Sequence, residues 1–246
     1  MAEPYPIVRR PPVAADLVNP QVWTLLGAIE TQMAGSWVLV GGQMVLLHGL
    51  EAGQLPVRET TDADALVNVR LVPRGTSALA QTLVDLDLTL DGYGPDGIGH
   101  RFVGRGVSID ILAPDNLGKR ADLTTVPPAR TIEIPAGTRL LREPQRCPVA
   151  VAGRVHHIPR PSLDSAIVGK AAAFRQLADS ARHGEDLVFL LRIVSDVTDL
   201  DGRLDARDRK VLRAADDKLA GDQRMWRYAS DPDAARAVLR FVLRDA

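Results

Sequence analysis

The chain has 246 residues, 46% of them hydrophobic and 25% charged, with a formal net charge of −1. That length allows one large domain or a medium domain with an appendage, and the composition excludes a disordered or collagenous chain. The near-neutral balance leaves no global basic field, so a polynucleotide partner would have to be held by a local patch.

Residues 1–18 are proline-rich and carry Arg9, Arg10, Pro11 and Pro12. They read as an extended N-terminal arm, because proline lacks an amide donor and disfavours helix at the residue before it. Asn19-Pro20 then predicts a helix start, with Asn as N-cap and Pro at the first helical position. Val22, Leu25, Leu26 and Ile29 keep helical spacing to about Met33. Trp37 to Val40 is a continuous apolar run ending in Gly41-Gly42, the pattern of a buried strand that breaks at a glycine turn. A short helix over 43–50 and a loop over 51–59 with Gly53 and Pro56 follow. In 60–69, Asp62 and Asp64 alternate with Ala63, Ala65 and Val67, which predicts a strand with the two acids on one side.

A helix is expected over 76–88, a loop over the glycine-rich 91–99, and a strand pair over 100–103 and 107–112 around Gly104-Arg105-Gly106. Further short strands fall within 130–158. After Pro159-Arg160-Pro161, proline and glycine become scarce and amphipathic helices are expected over 162–181, 184–200, 206–220 and 231–244. The second of these is apolar over much of its circumference and reads as the central helix of a bundle. The expected architecture is thus an extended arm (1–18), a mixed α/β (α+β) domain (19–158) and a C-terminal helical bundle domain (159–246).

One cysteine, Cys147, allows no internal disulfide and no cysteine-based metal framework, which fits a reducing compartment. The amino terminus lacks an apolar core of signal-peptide length, and no apolar run reaches the roughly 18 residues of a membrane span. A cytoplasmic location with no membrane partner is the expectation.

The chemistry concentrates in Gly41-Gly42 and in Arg58-Glu59-Thr60-Thr61-Asp62-Ala63-Asp64. Two carboxylates side by side repel each other and raise one pKa unless a cation joins them. A hard divalent ion such as Mg²⁺ (or Mn²⁺), itself bridging phosphate oxygens, is the usual resolution. Gly41 and Gly42 sit between a strand and a helix start, where exposed amides approach phosphates closely. Asp110, flanked by apolar residues in its strand, needs a partner, and a metal site on the adjacent strand would supply one; the competing reading is a cap on a turn before Pro114. Such a set suits phosphoryl-type transfer, where positioning and charge neutralisation do most of the catalysis.

The segment resembles the nucleotidyltransferase superfamily with the DNA polymerase β-like fold, whose mark is Gly-Gly or Gly-Ser, then Asp-x-Asp, then a later Asp. More narrowly, Gly41-Gly42-Gln43-Met44-Val45-Leu46-Leu47-His48-Gly49 followed by Arg58-x-Thr60-x-Asp62-x-Asp64 is similar to the AbiEii group, which includes toxins of type IV toxin–antitoxin systems and the MenT toxins. Lys170 to Arg175, then Arg182 and Glu185-Asp186-Leu187, resemble its helical Lys…Asp motif. The resemblance implies a nucleotidyltransferase-type mixed sheet with flanking helices. It implies transfer of a nucleoside monophosphate from an NTP to an acceptor, particularly the tRNA 3′ end, with an antitoxin as partner. It assigns the metal to Asp62, Asp64 and Asp110, and the triphosphate to Gly41, Gly42, Arg58, Thr60 and Lys170, with Asp186 as the acid of the second motif. The chain departs from the pattern at Glu185, where the group has a basic residue, and at Phe189, where a second Asp often stands. Two rivals remain open: a transferase acting on an antibiotic or a protein, and a catalytically silent relative that binds nucleotide or a partner.

Other signals read as structural. His48 is expected as a helix residue and His156-His157 as a strand end, neither having zinc-type partners at suitable spacing. Arg203, Arg207, Arg209, Lys210, Arg213 and Lys218 interleave with aspartates, the pattern of a solvated, ion-paired face.

Overall fold

A computed structural model of the chain describes residues 4–15, 19–56, 60–178, 180–226 and 231–244. The chain divides into two compact units, Met1–Met44 with Thr60–Pro161, and Val45–Glu59 with Ser162–Ala246. The helical unit therefore takes residues 45–59 from the amino-terminal half.

In chain order the elements are β1 (Val13–Ala14), α1 (Pro20–Met33), β2 (Trp37–Val40), α2 (Gly41–Glu51), β3 (Asp62–Val67), α3 (Gly75–Asp85), β4 (Thr89–Leu90), β5 (Arg101–Gly104) and β6 (Val107–Pro114). Then come β7 (Ile132–Ile134), α4 (Gly137–Leu140), β8 (Gln145–Val151), β9 (Arg154–Arg160), α5 (Leu163–Gln176), α6 (Ser180–Arg192), α7 (Val197–Arg203), α8 (Ala206–Ala220) and α9 (Pro232–Val242). The architecture is the expected mixed α/β class.

The first unit is built on a six-stranded sheet in the order β2-β3-β6-β5-β4, with β7 beside the end of β6, and a smaller sheet β1-β8-β9. β3 and β6 run parallel, while β2 and β5 flank them antiparallel. Because side chains alternate across a strand, this register sorts residues onto two faces. One face carries Trp37, Leu39, Ala63, Ala65, Val67, Phe102, Ile109 and Ile111, all fully buried; α3 packs on β3 and β6. The other face carries rows that cross the sheet. One row is apolar, Val38–Leu66–Leu112–Ile132, and joins a cluster with Val40 and Leu140, against which Tyr5, Ile134 and Leu141 pack. The next rows are polar and form the candidate site.

Several local expectations need correction. Asn19 precedes α1 in a left-handed conformation (φ 46°) and makes no side-chain cap, so only Pro20 acts as a start signal. The helix expected over 162–181 ends at Gln176, with Leu177 extended. The helix expected over 184–200 is two helices, because Asp196 turns extended and its carboxylate accepts hydrogen bonds from the amides of Thr198 and Asp199, starting α7. The described part of the arm, residues 4–15, lies along β8: Val13 and Ala14 pair in parallel with Val149 and Ala150.

The second unit is helical, with α6 packed on α5 and α9. Leu187, Val188, Leu190 and Leu191 of α6 are buried, as a central helix requires. Among its basic residues Arg203 pairs with Asp199, and Arg209 and Arg244 with Asp201, whereas Arg213 and Lys218 donate to the carbonyls of Leu243 and Phe174. The hydrogen bonds from Arg209 and Arg244 hold the Asp201 carboxyl below its ordinary range. Among the described residues no helix is long and apolar enough to cross a membrane.

Candidate active site

Two rows on one face of the larger sheet gather the chemistry of the first unit. Val40, Asp64, Asp110 and Arg101 are successive cross-strand partners on β2, β3, β6 and β5. The neighbouring row holds Asp62, Ser108 and Val103. Asp62, Asp64 and Asp110 thus share a face, as their spacing and strand placement led one to expect for the first two.

Gly41 and Gly42 make this packing possible. Gly41 has φ +69°, a conformation L side chains rarely adopt, and a Cβ there would come within 2.6 Å of Asp64 Cγ. A Cβ on Gly42 would lie 2.7 Å from Thr60 Oγ1. The glycine pair therefore admits the Asp64 carboxylate and the Thr60 hydroxyl against the first turn of α2, whose leading amides have no acceptor within the helix. Buried Gln43, one residue on, donates from Nε2 to the Thr60 carbonyl at 2.8 Å and fixes the entry to β3.

Asp62 is half exposed; its Oδ1 accepts from Ser108 Oγ at 2.6 Å and from Thr61 Oγ1 at 3.2 Å. Asp110 is nearly enclosed and caps no turn. Arg101 donates to both its oxygens, Nε to Oδ1 at 2.8 Å and Nη2 to Oδ2 at 2.9 Å. The same Nη2 lies 3.6 Å from Asp62 Oδ2. His100 Nε2 stands 3.9 Å from Asp110 Oδ2. These contacts with Asp110, its hydrogen bonds first and its charge second, push the Arg101 guanidinium above its already high ordinary pKa.

Arg101 and Ser108 are the site residues that reading the sequence missed. Their signal was available in the hairpin: counting outward from Gly104 and Val107 brings Val103 opposite Ser108 and Arg101 opposite Asp110.

Lys170 and Asp186 are brought together in the second unit, on α5 and α6, as a buried ion pair with Nζ 2.7 Å from Oδ2 and each side chain only 6% exposed. Lys170 is therefore not a solvated helix lysine. Arg58 lies outside the described residues. His48 is buried in α2 with Nδ1 3.6 Å from Glu51 Oε2, and His156 and His157 lie on β9. Burial, then the nearby Arg146 charge, lowers the His157 pKa.

The donor chemistry of Asp62, Asp64 and Asp110 fits a hard divalent ion, being all carboxylate oxygen on one face. Among the described residues no three such side chains already converge on one point; Arg101 instead bridges Asp110 and Asp62.

No family model matches the chain, and no curated protein matches it in sequence. Among solved structures it is similar to an antigenic nucleotidyltransferase-like protein from Paracoccidioides brasiliensis, with 12% identity and a TM-score of 0.52 over 89% of this chain and 92% of that one. At that identity the likeness is one of fold: the chain has the mixed α/β fold of a nucleotidyltransferase-like protein.

Proposed function

We propose that the chain is a metal-dependent nucleotidyltransferase, acting in the cytoplasm, that moves a nucleoside monophosphate from an NTP to an acceptor. The observation that carries this reading is the row Asp64–Asp110 with Asp62 beside it, set against a glycine pair that leaves room for the Asp64 carboxylate. The fold likeness supports it.

In this reading Asp62 and Asp64, with Asp110 as third ligand, would hold a divalent ion, Mg²⁺ or Mn²⁺, which when bound neutralises triphosphate oxygens. The amides at Gly41-Gly42 and the Thr60 hydroxyl orient the triphosphate. Asp110 accepts the proton of the acceptor hydroxyl as that oxygen bonds to the α-phosphorus; the bond to the bridging oxygen breaks and pyrophosphate leaves. Lys170 and Asp186, held together as an ion pair, are the charged groups of the second motif in this reading.

We further propose RNA, in particular the tRNA 3′ end, as the acceptor, and a toxin held in check by an antitoxin as the biological role. The support is the AbiEii-like run from Gly41 to Asp64. The test is incubation with each α-³²P-labelled NTP, Mg²⁺ and total tRNA, beside Asp62→Ala. Label on RNA that disappears with Asp62→Ala is the expected result. Label on protein or on an added small molecule keeps the transferase and replaces the acceptor. Tight NTP binding with no label on any acceptor refutes the enzyme.

A further inference from the structure

Arg101 is the cation that the candidate site already contains, and its grip on Asp110 sets the terms on which another cation enters. Asp110 has a side chain only 12% exposed, so its charge needs a partner. Arg101 meets that need with a two-point fork, one nitrogen to each carboxylate oxygen, and leans its Nη2 toward Asp62. The oxygens it occupies are those a divalent ion would require of Asp110.

The partner is removable. The Arg101 side chain is 45% exposed and stands at the first position of β5, so it can turn into solvent without opening the core. A planar guanidinium is also the side chain that best grips phosphate oxygens in the same two-point manner.

We propose that Arg101 is a latch on this site, holding Asp110 while no divalent ion is bound and releasing it to become a ligand when ion and nucleotide arrive. The inference rests on the metal-dependent reading above. Arg101 alternates between two anions: Asp110 in the resting site and a phosphate of the substrate in the loaded one. Ion binding without nucleotide is weakened, because Arg101 must then leave Asp110 for water. With nucleotide present it has a second partner, so the two ligands bind cooperatively. A role confined to stapling β5 to β6 would lower stability on removal without strengthening ion binding.

The test is a Mn²⁺ titration of the full chain without nucleotide, following the free ion by electron paramagnetic resonance. Arg101→Gln is expected to tighten Mn²⁺ binding about tenfold, the lower end of what a charge-assisted fork is worth once exposure is allowed for. Arg101→Lys keeps the charge but cannot grip both oxygens, so it should fall between. Arg105→Gln removes an equal charge from the turn of the same hairpin, where Arg105 pairs with Asp87, and should stay within about twofold of wild type. Unchanged or weaker binding in Arg101→Gln overturns the latch, as does equal tightening in Arg105→Gln or wild-type behaviour in Arg101→Lys. A Mn²⁺ site lost in Asp62→Ala but indifferent to Arg101 overturns the latch and leaves the transferase standing. No Mn²⁺ bound by the wild-type chain even with NTP overturns both.

Discussion

Replacing Gly41 by alanine separates two jobs that this glycine performs. Its φ of +69° is shared by Gly53, at +68°, where the space around an added Cβ is empty to 4 Å. Alanine at either position incurs the left-handed strain of an L residue, about 1 kcal/mol. At Gly41 the methyl also meets Asp64, with Cγ at 2.6 Å and Cβ at 3.1 Å. The carboxylate has to rotate away, at a further cost of about 0.5–1.5 kcal/mol for a poor rotamer. Urea denaturation should therefore show Gly53→Ala down by about 1 kcal/mol and Gly41→Ala by about 2 kcal/mol. The activities should diverge far more. A reacting group misplaced by roughly an ångström loses on the order of a hundredfold in rate, so kcat/KM in the labelled-NTP assay should fall about that much for Gly41→Ala and hardly at all for Gly53→Ala. Full activity in a folded Gly41→Ala chain would refute the claim that Asp64 works from against this turn.

Two further outcomes follow from buried charge. Lys170→Met leaves the Asp186 carboxylate enclosed without its 2.7 Å cation and should cost about 3–5 kcal/mol in urea denaturation, whereas Lys170→Met with Asp186→Leu should recover much of it; equal losses for the single and double variants would contradict the pairing. Glu30 of α1 is buried, with Arg146 Nη1 3.7 Å away, and burial, opposed by that charge, raises its carboxyl to about 7 from an ordinary 4.5. The folded chain then binds the Glu30 proton more tightly than the unfolded chain does. Stability should fall as pH rises from about 4.5 to about 7 and level off above, by up to about 3 kcal/mol from this group. Glu30→Gln should remove that fall, and an identical pH profile in the variant would refute it.

How far the site was legible depends on whether its geometry is local. Asp62 and Asp64 are two apart in one strand, so alternation alone put them on one face. Asp110 was legible as an acid in an apolar strand, but its partner was not, because Arg101 gains its meaning only from the β5–β6 register. Lys170 and Asp186 meet across two helices, and spacing within either helix carries no trace of that contact. The division of the expected 184–200 helix has a local signal, since Ser195-Asp196 is a helix start inside a continuous apolar period. The pairing of the arm with β8 joins residues more than a hundred apart and left no local mark.

The register that hides the acidic row from composition also ties it to folding. Between β3 and β6 the pairing sets Asp64 beside Asp110 and, one residue on, Ala65 beside Ile111. A slip of one residue in β6 would turn Ile109 and Ile111 outward and drive Asp110 into the fully apolar face. Burying that carboxylate without a partner would cost several kcal/mol, on top of two exposed isoleucines worth about 1.5–3 kcal/mol each. The core therefore rejects the one-residue slips that would turn the carboxylates inward. A chain that retains cooperative unfolding retains the row, so lost transfer in a folded Asp62→Ala or Gly41→Ala variant reports on the chemistry of the site and not on the sheet beneath it.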